Sequence, residues 1–247
     1  MTPETLLLLG AGAISGGFIN GLAGFGTALF ALGFWLQFIP PPQAVAIVVV
    51  VSAVTGVQGV WIVRHDIGAQ PARLMRFLLP ALIGTPIGVQ LLSWIDAWML
   101  KLTIAGFMLL FGGFFILRRN LPKFERHTPL LDSIVGFFGG VLGGAASLSG
   151  ALPTMWCAMR PWAKQETRAV LQPFNVIILF LTAALLAFRG VYAQQTLIYL
   201  AVALPITMLS AQAGIYVFRH ISDLQFRRLL IGMMFLSGIL LSARELL

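Results

Sequence analysis

The residues of this chain whose types and spacing suit chemistry are Asn20, Gly24, Gly26 and Thr27, and again Gly143, Gly144, Ser147, Ser149 and Gly150. They are neutral donors, not acids, bases or metal ligands, and the chemistry they suit is anion binding. A helix that begins at a glycine-rich break offers unpaired N–H groups and the positive end of its dipole, which together attract an anion. The Asn20 amide and the Thr27, Ser147 and Ser149 hydroxyls would add side-chain donors. Glycines in membrane helices also serve close packing, but two clusters at equivalent places in the chain weigh toward a site. Further along, Arg168 stands at the start of an apolar run, and Gln172 and Asn175 flank Pro173, which removes a helix donor and frees carbonyls. Arg168 would assist at a helix entrance, with Gln172 or Asn175 facing the second break. The alternative for both amides is an interhelical hydrogen bond worth roughly 0.6–2 kcal/mol.

Other chemistries lack their parts. The 8 acidic residues fall near the ends of apolar runs or in loops, which argues against a buried carboxylate relay and against an aspartyl protease. His65, His127 and His220 read as loop residues, and no His-Glu-x-x-His motif is present. Cys157 is the single cysteine, so neither an intrachain disulfide nor a thiolate metal cluster can form. The expectation is no catalytic set, no metal and no cofactor.

Both clusters sit in runs too long for one crossing. Charge-free stretches cover 5–38, 43–63, 77–95, 102–117, 131–159, 169–188, about 197–218 and 229–243. A spanning helix needs about 20 residues, and 5–38 as one helix would reach about 50 Å against a hydrocarbon core of about 30 Å. The overlong runs, 5–38 and 131–159, are the ones that carry the breaks. Backbone freed inside a membrane must find partners in a cavity or a ligand, so such breaks mark sites.

The chain also repeats. Ala44-Val45 and Leu79-Pro80 recur as Ala169-Val170 and Leu204-Pro205, while Ile95, Lys101 and Gly106 recur as Ile221, Arg227 and Gly232. Aligning the breaks by their glycines pairs Gly17, Gly21 and Gly24 with Gly136, Gly140 and Gly143. Two repeats follow, 1–121 and 122–247, joined by a basic linker, Arg118 to Lys123.

Charge decides the topology. Eight plain crossings would split the 16 Lys and Arg almost evenly between the two faces, against the positive-inside rule. If both glycine-broken runs are re-entrant hairpins, all but Lys101, Arg189 and Arg244 fall on one side. Each half then holds one hairpin and three transmembrane helices, an odd number of crossings, so the halves are inverted. The expected fold is an all-α polytopic membrane protein of about eight hydrophobic segments, with both termini outside and the hairpin tips meeting near the midplane.

Composition sets the class. The 247 residues are 59% hydrophobic and 10% charged, with mean hydropathy +0.93, where soluble domains carry about 25% charged residues. The net charge of +8 belongs to loops between apolar runs and not to a stripe, which excludes nucleic acid as a partner. Met1-Thr2-Pro3-Glu4 lacks a basic n-region, so the first run is expected to belong to the mature protein. Trp35, Trp61, Trp94, Trp98, Trp156 and Trp162 lie mostly near span ends, as an aromatic belt would.

Gly21-Leu22-Ala23-Gly24-Phe25-Gly26, followed by Gln43-Ala44-Val45, resembles the first signature of the sulfite exporter (TauE/SafE) family of membrane permeases. Gly140-Val141-Leu142-Gly143-Gly144 through Ser149-Gly150-Ala151-Leu152-Pro153, then Lys164 to Arg168, resembles the second, and Leu79-Pro80 to Gly88 also fits. The first motif has Phe25-Gly26-Thr27 in place of a glycine run, and the second has Ala151-Leu152-Pro153 where a Gly-Pro pair is frequent. The resemblance implies a bacterial inner-membrane exporter of sulfite or organosulfonates working by alternating access. Its expected partners are the small anion, the bilayer and, as a homodimer, a second copy of the chain. The alternatives are a non-transporting scaffold subunit and an intramembrane enzyme, the latter without an assembled active site.

Overall fold

A computed structural model describes residues 1–67, 71–117, 124, 128–162, 164–222 and 225. The run 229–243, the linker Arg118 to Lys123, and His127 lie outside the described residues. The described chain is all-helical: α1 (Pro3–Ala23), α2 (Thr27–Trp35), α3 (Pro41–Ile67), α4 (Pro71–Leu92), α5 (Ala97–Leu117), α6 (Pro129–Ala146), α7 (Ala151–Ala158), α8 (Lys164–Phe188) and α9 (Gln194–His220). Seven of these are long and apolar enough to cross a membrane; α2 and α7 are the short exceptions.

The two overlong runs break where the glycines cluster. Gly24 (φ 80°) ends α1 and Gly26 (φ 97°) precedes α2, both in the left-handed region that a Cβ disfavours. The second break differs. Its left-handed residue is Ser147 (φ 58°, ψ 27°), whose N–H bonds the Gly143 carbonyl at 3.0 Å, while Leu148 N–H reaches back to Leu142 at 3.1 Å. The caps therefore pair Gly24 with Ser147, one helical turn later than the glycine alignment that paired it with Gly143. Glycine identity misled there because Gly143 lies within α6, against Ile178 and Ser149.

Each short helix folds back along its long neighbour. Trp35 Nε1 donates to the Leu9 carbonyl at 3.1 Å, and a Cβ at Gly16 would press on Thr27 and Ala31. In the second pair, Trp156 Nε1 donates to Asp132 Oδ1 at 2.7 Å, and Gly139 faces Pro153 and Ser149.

The long arms are held by a second set of close approaches. Gly17 and Gly21 of α1 meet the backbone of α9 at Thr207 and Ala211, and Gly140 and Gly144 of α6 meet α4 at Ala81 and Thr85. Around these pairs, α3 packs on α8, α4 on α8 and α9 on α3. Without a hydrophobic drive between helices in lipid, small residues at such crossings supply the van der Waals contact.

Helix ends gather at two faces. Arg73 of α4 lies 3.8 Å from Glu166 of α8 and over the Trp162 ring. Arg160 Nη2, just past α7, lies 2.9 Å from Asp132 and also donates to Thr128, while Arg76 lies 4.0 Å from the same carboxylate. At the opposite ends of α4 and α8, Arg189 Nη1 donates to the Val89 carbonyl at 2.9 Å. Asp132 sits in the first turn of α6, near an end as expected, and there it is 3% exposed and ion-paired. Tryptophan placement divides too: Trp61, Trp94 and Trp98 are exposed, but Trp35 is fully buried in the hairpin.

Candidate functional site

The two breaks meet. A cavity of about 20 Å³ lies between them, lined from the first by Asn20, Gly24, Phe25, Gly26 and Thr27 and from the second by Ser147, Leu148, Ser149, Gly150 and Ala151. Two long helices close it at mid-length: α3 with Ser52 and Gly56, and α8 with Gln172, Asn175, Val176 and Leu179. No charged side chain is in this lining. The volume accommodates about one water molecule, so a multi-atom oxyanion requires the walls to part.

Asn175 ties the two breaks together. Its Oδ1 accepts from Ser149 Oγ at 3.1 Å, and its Nδ2 donates to the Gly24 carbonyl at 3.4 Å. Gln172 Nε2 donates to the Gly56 carbonyl at 3.1 Å, pinning α8 to α3. Asn20 Nδ2 donates to Thr55 Oγ1, which itself donates to the Val51 carbonyl at 2.7 Å. Both amides near Pro173 thus serve as interhelical bonds and as cavity wall at once.

Two hydroxyls stand apart from this network. Thr27 Oγ1 and Ser147 Oγ are buried without a hydrogen-bond partner. A buried hydroxyl left unsatisfied costs about 1–3 kcal/mol, a cost that a ligand in the cavity would remove. The N-termini of α2 and α7 also open here, at Gly26 and Gly150, and neither has a side-chain cap. Each helix start carries roughly half a positive charge. The wall is therefore electropositive without a formal cation, and binding by neutral dipoles suits an anion that must also leave.

Among the residues expected from sequence, Gly143, Gly144 and Arg168 do not line the cavity. Gly143 admits Ser149 and Ile178, and Gly144 admits α4 at Thr85 and Val89, so both serve packing. Arg168 lies one turn before Gln172, with its guanidinium 4.5 Å over the Phe218 ring. Ser52, Thr55 and Gly56 were missed. They sit in an unbroken apolar run, and only the side of α3 that faces α8 distinguishes them.

A bundle of apolar helices, two of them broken around a buried, polar, dipole-lined cavity, has the architecture of a membrane transporter. The sulfite exporter TauE/SafE family model matches residues 8–241. The chain belongs to that family, and it is a multi-pass membrane protein of an anion-transporter type. No curated protein and no solved structure matches it.

Proposed function

We propose that the chain is a secondary permease of the bacterial inner membrane that exports small sulfur-containing anions, such as sulfite or an organosulfonate. The observation that carries this reading is the convergence of both breaks on one cavity with two unpartnered hydroxyls, Thr27 and Ser147. The anion is held there by those hydroxyls, by Asn20, Ser149 and Asn175, by the first N–H groups of α2, and by the positive dipole ends of α2 and α7.

The hairpins are re-entrant in this account, and helix-end contacts support it. A chain crossing at every apolar run would put the 64–76 and 160–168 loops on opposite faces. Arg73 instead reaches Glu166, and Arg160 reaches Thr128 and Asp132. The face they share is the basic one, hence cytoplasmic, with both termini outside. The packing supports two inverted repeats: exchanging α1 with α6, α2 with α7, α3 with α8 and α4 with α9 turns the α1–α9 contact into α6–α4 and α3–α9 into α8–α4. Alternating access then follows from motion of one repeat or bundle against the other around a fixed cavity.

Anion-dependent stabilisation tests the reading against a non-transporting scaffold. Binding to the folded state raises stability by about 2.7 kcal/mol at one hundred times Kd. Purified protein titrated with sulfite or sulfoacetate should therefore melt at progressively higher temperature, while chloride at equal ionic strength should not reproduce the shift. A melting curve indifferent to every anion would leave the glycines with packing alone and favour the scaffold.

A further inference from the structure

A second opening lies toward the C-terminal ends of α3 and α9. It is an open groove of about 400 Å³, lined by Val57, Gln58, Trp61, Gln212, Ile215 and Arg219. Beside the apolar Val57, Trp61 and Ile215 it carries three polar side chains: Gln212 Nε2 donates to Gln58 Oε1 at 2.7 Å, and Arg219 is exposed. Amides and cations are costly against lipid, so the groove belongs to the water-facing end of the bundle. That end is basic. Arg64 lies 4.3 Å from the Trp61 ring centre, and Arg219 and His220 close α9.

Along α3 this groove directly adjoins the central cavity, for Gly56 lines the cavity while the next residues, Val57 and Gln58, line the groove. On the α8 side the divider is Gln172 and, one turn earlier, Arg168. The Gln172 amide fills the space beside Gly59, where a Cβ would overlap it, and bonds Gly56. Arg168 stacks on Phe218, the neighbour of Arg219, while its buried Nε has no partner and lies 3.9 Å from where a Cβ on Gly24 would stand. One guanidinium thus borders both the groove's cation and the cavity wall. Neither Arg168 nor Arg219 is ion-paired among the described residues.

We propose that the groove is the inner-face loading site for a small oxyanion, with Arg219 and Arg168 drawing it in and the Gln172 amide plugging the way to the cavity. The inference rests on the anion-permease reading of that cavity. The division of labour has a physical reason. The full charge of Arg219 in the open groove raises the local anion concentration and the on-rate, with Arg168 behind it at the Gln172 divider, whereas a full charge in the enclosed cavity would hold the anion too tightly to release it.

The test uses the full chain with Cys157→Ser, carrying Gln212→Cys or, as a second reporter, Val57→Cys. Labelling rates are measured from each face of reconstituted vesicles with methanethiosulfonates bearing either a sulfonate or a trimethylammonium group, each normalised to its rate with a free thiol. The anionic reagent should lead by about tenfold from the inner face, and Arg219→Gln should bring the ratio near one. Labelling only from the outer face, or a ratio indifferent to Arg219→Gln at both reporters, overturns the loading site. Labelled-sulfite flux in the same vesicles keeps the two claims apart. Flux with a charge-indifferent groove removes the loading site alone, whereas absence of flux for any anion removes the permease reading and this inference with it.

Discussion

Thr27 and Ser147 are the side chains where stability and function should part company. Each buries an oxygen without a partner, so deleting the hydroxyl removes a cost from the empty state and a donor from the occupied one. Thr27→Val keeps the shape. It should leave the melting temperature equal or higher, while the apparent affinity for sulfite falls by about tenfold or more, as for one lost hydrogen bond to a charged ligand. Equal affinity in a well-folded Thr27→Val protein would take that hydroxyl out of the site. Asn20 and Ser149 stood out in the sequence as an amide and a hydroxyl beside glycine breaks, and Asn175 as an amide beside the helix-breaking Pro173. Ser52 and Thr55 were not. A lone hydroxyl in a helix can bond the carbonyl a turn back, as Thr55 does to Val51, and nothing in the run 43–63 says which side of the helix meets α8.

At the level of elements, the glycines sort into those that let helices touch and those that do not. A Cβ at Gly21 or Gly140 would overlap a backbone carbonyl of the facing helix, at Ala211 or Ala81, whereas Gly106 has open space. Gly21→Ala and Gly140→Ala should each destabilise by about 1–3 kcal/mol, with Gly106→Ala near neutral, measured by thermal unfolding in one detergent. Similar loss at all three would separate the glycines from the helix crossings. The ion pair of Asp132 and Arg160 ties the base of the second hairpin. Removing one partner of such a buried pair costs about 3–5 kcal/mol, so Arg160→Gln should unfold more easily than a double Asp132→Leu, Arg160→Met variant. Equal stability of the two would mean that Arg76 and Trp156 alone suffice to hold the Asp132 carboxylate. The breaks and short arms were readable from run length and glycine spacing. The ion pair was not, because its partners lie 28 residues apart and meet only once α7 folds back. The position of the second cap was not readable either, because a serine, Ser147, and not a glycine took the left-handed conformation.

For the whole molecule, class and family were visible in composition and motif, while the convergence of both breaks on one enclosed cavity needed the three-dimensional packing. In the permease account the cavity's small volume is a closed state, and transport alternates its opening between the two faces. A divalent anion leaving a negative-inside compartment gains about 2.3 kcal/mol per charge per 100 mV. Sulfite efflux without a coupled ion should therefore quicken as the inside is made more negative, and a rate indifferent to potential would require a coupling ion. The central claim is that the cavity between the two breaks carries the anion. Its most direct test is labelled-sulfite flux in proteoliposomes, comparing the parent chain with the Asn20→Ala, Ser149→Ala double variant matched for folded protein. The account predicts saturable flux in the parent, competed by sulfoacetate, and a large loss in the variant. No flux of any anion under potentials of either sign, or undiminished flux in the folded double variant, would contradict it.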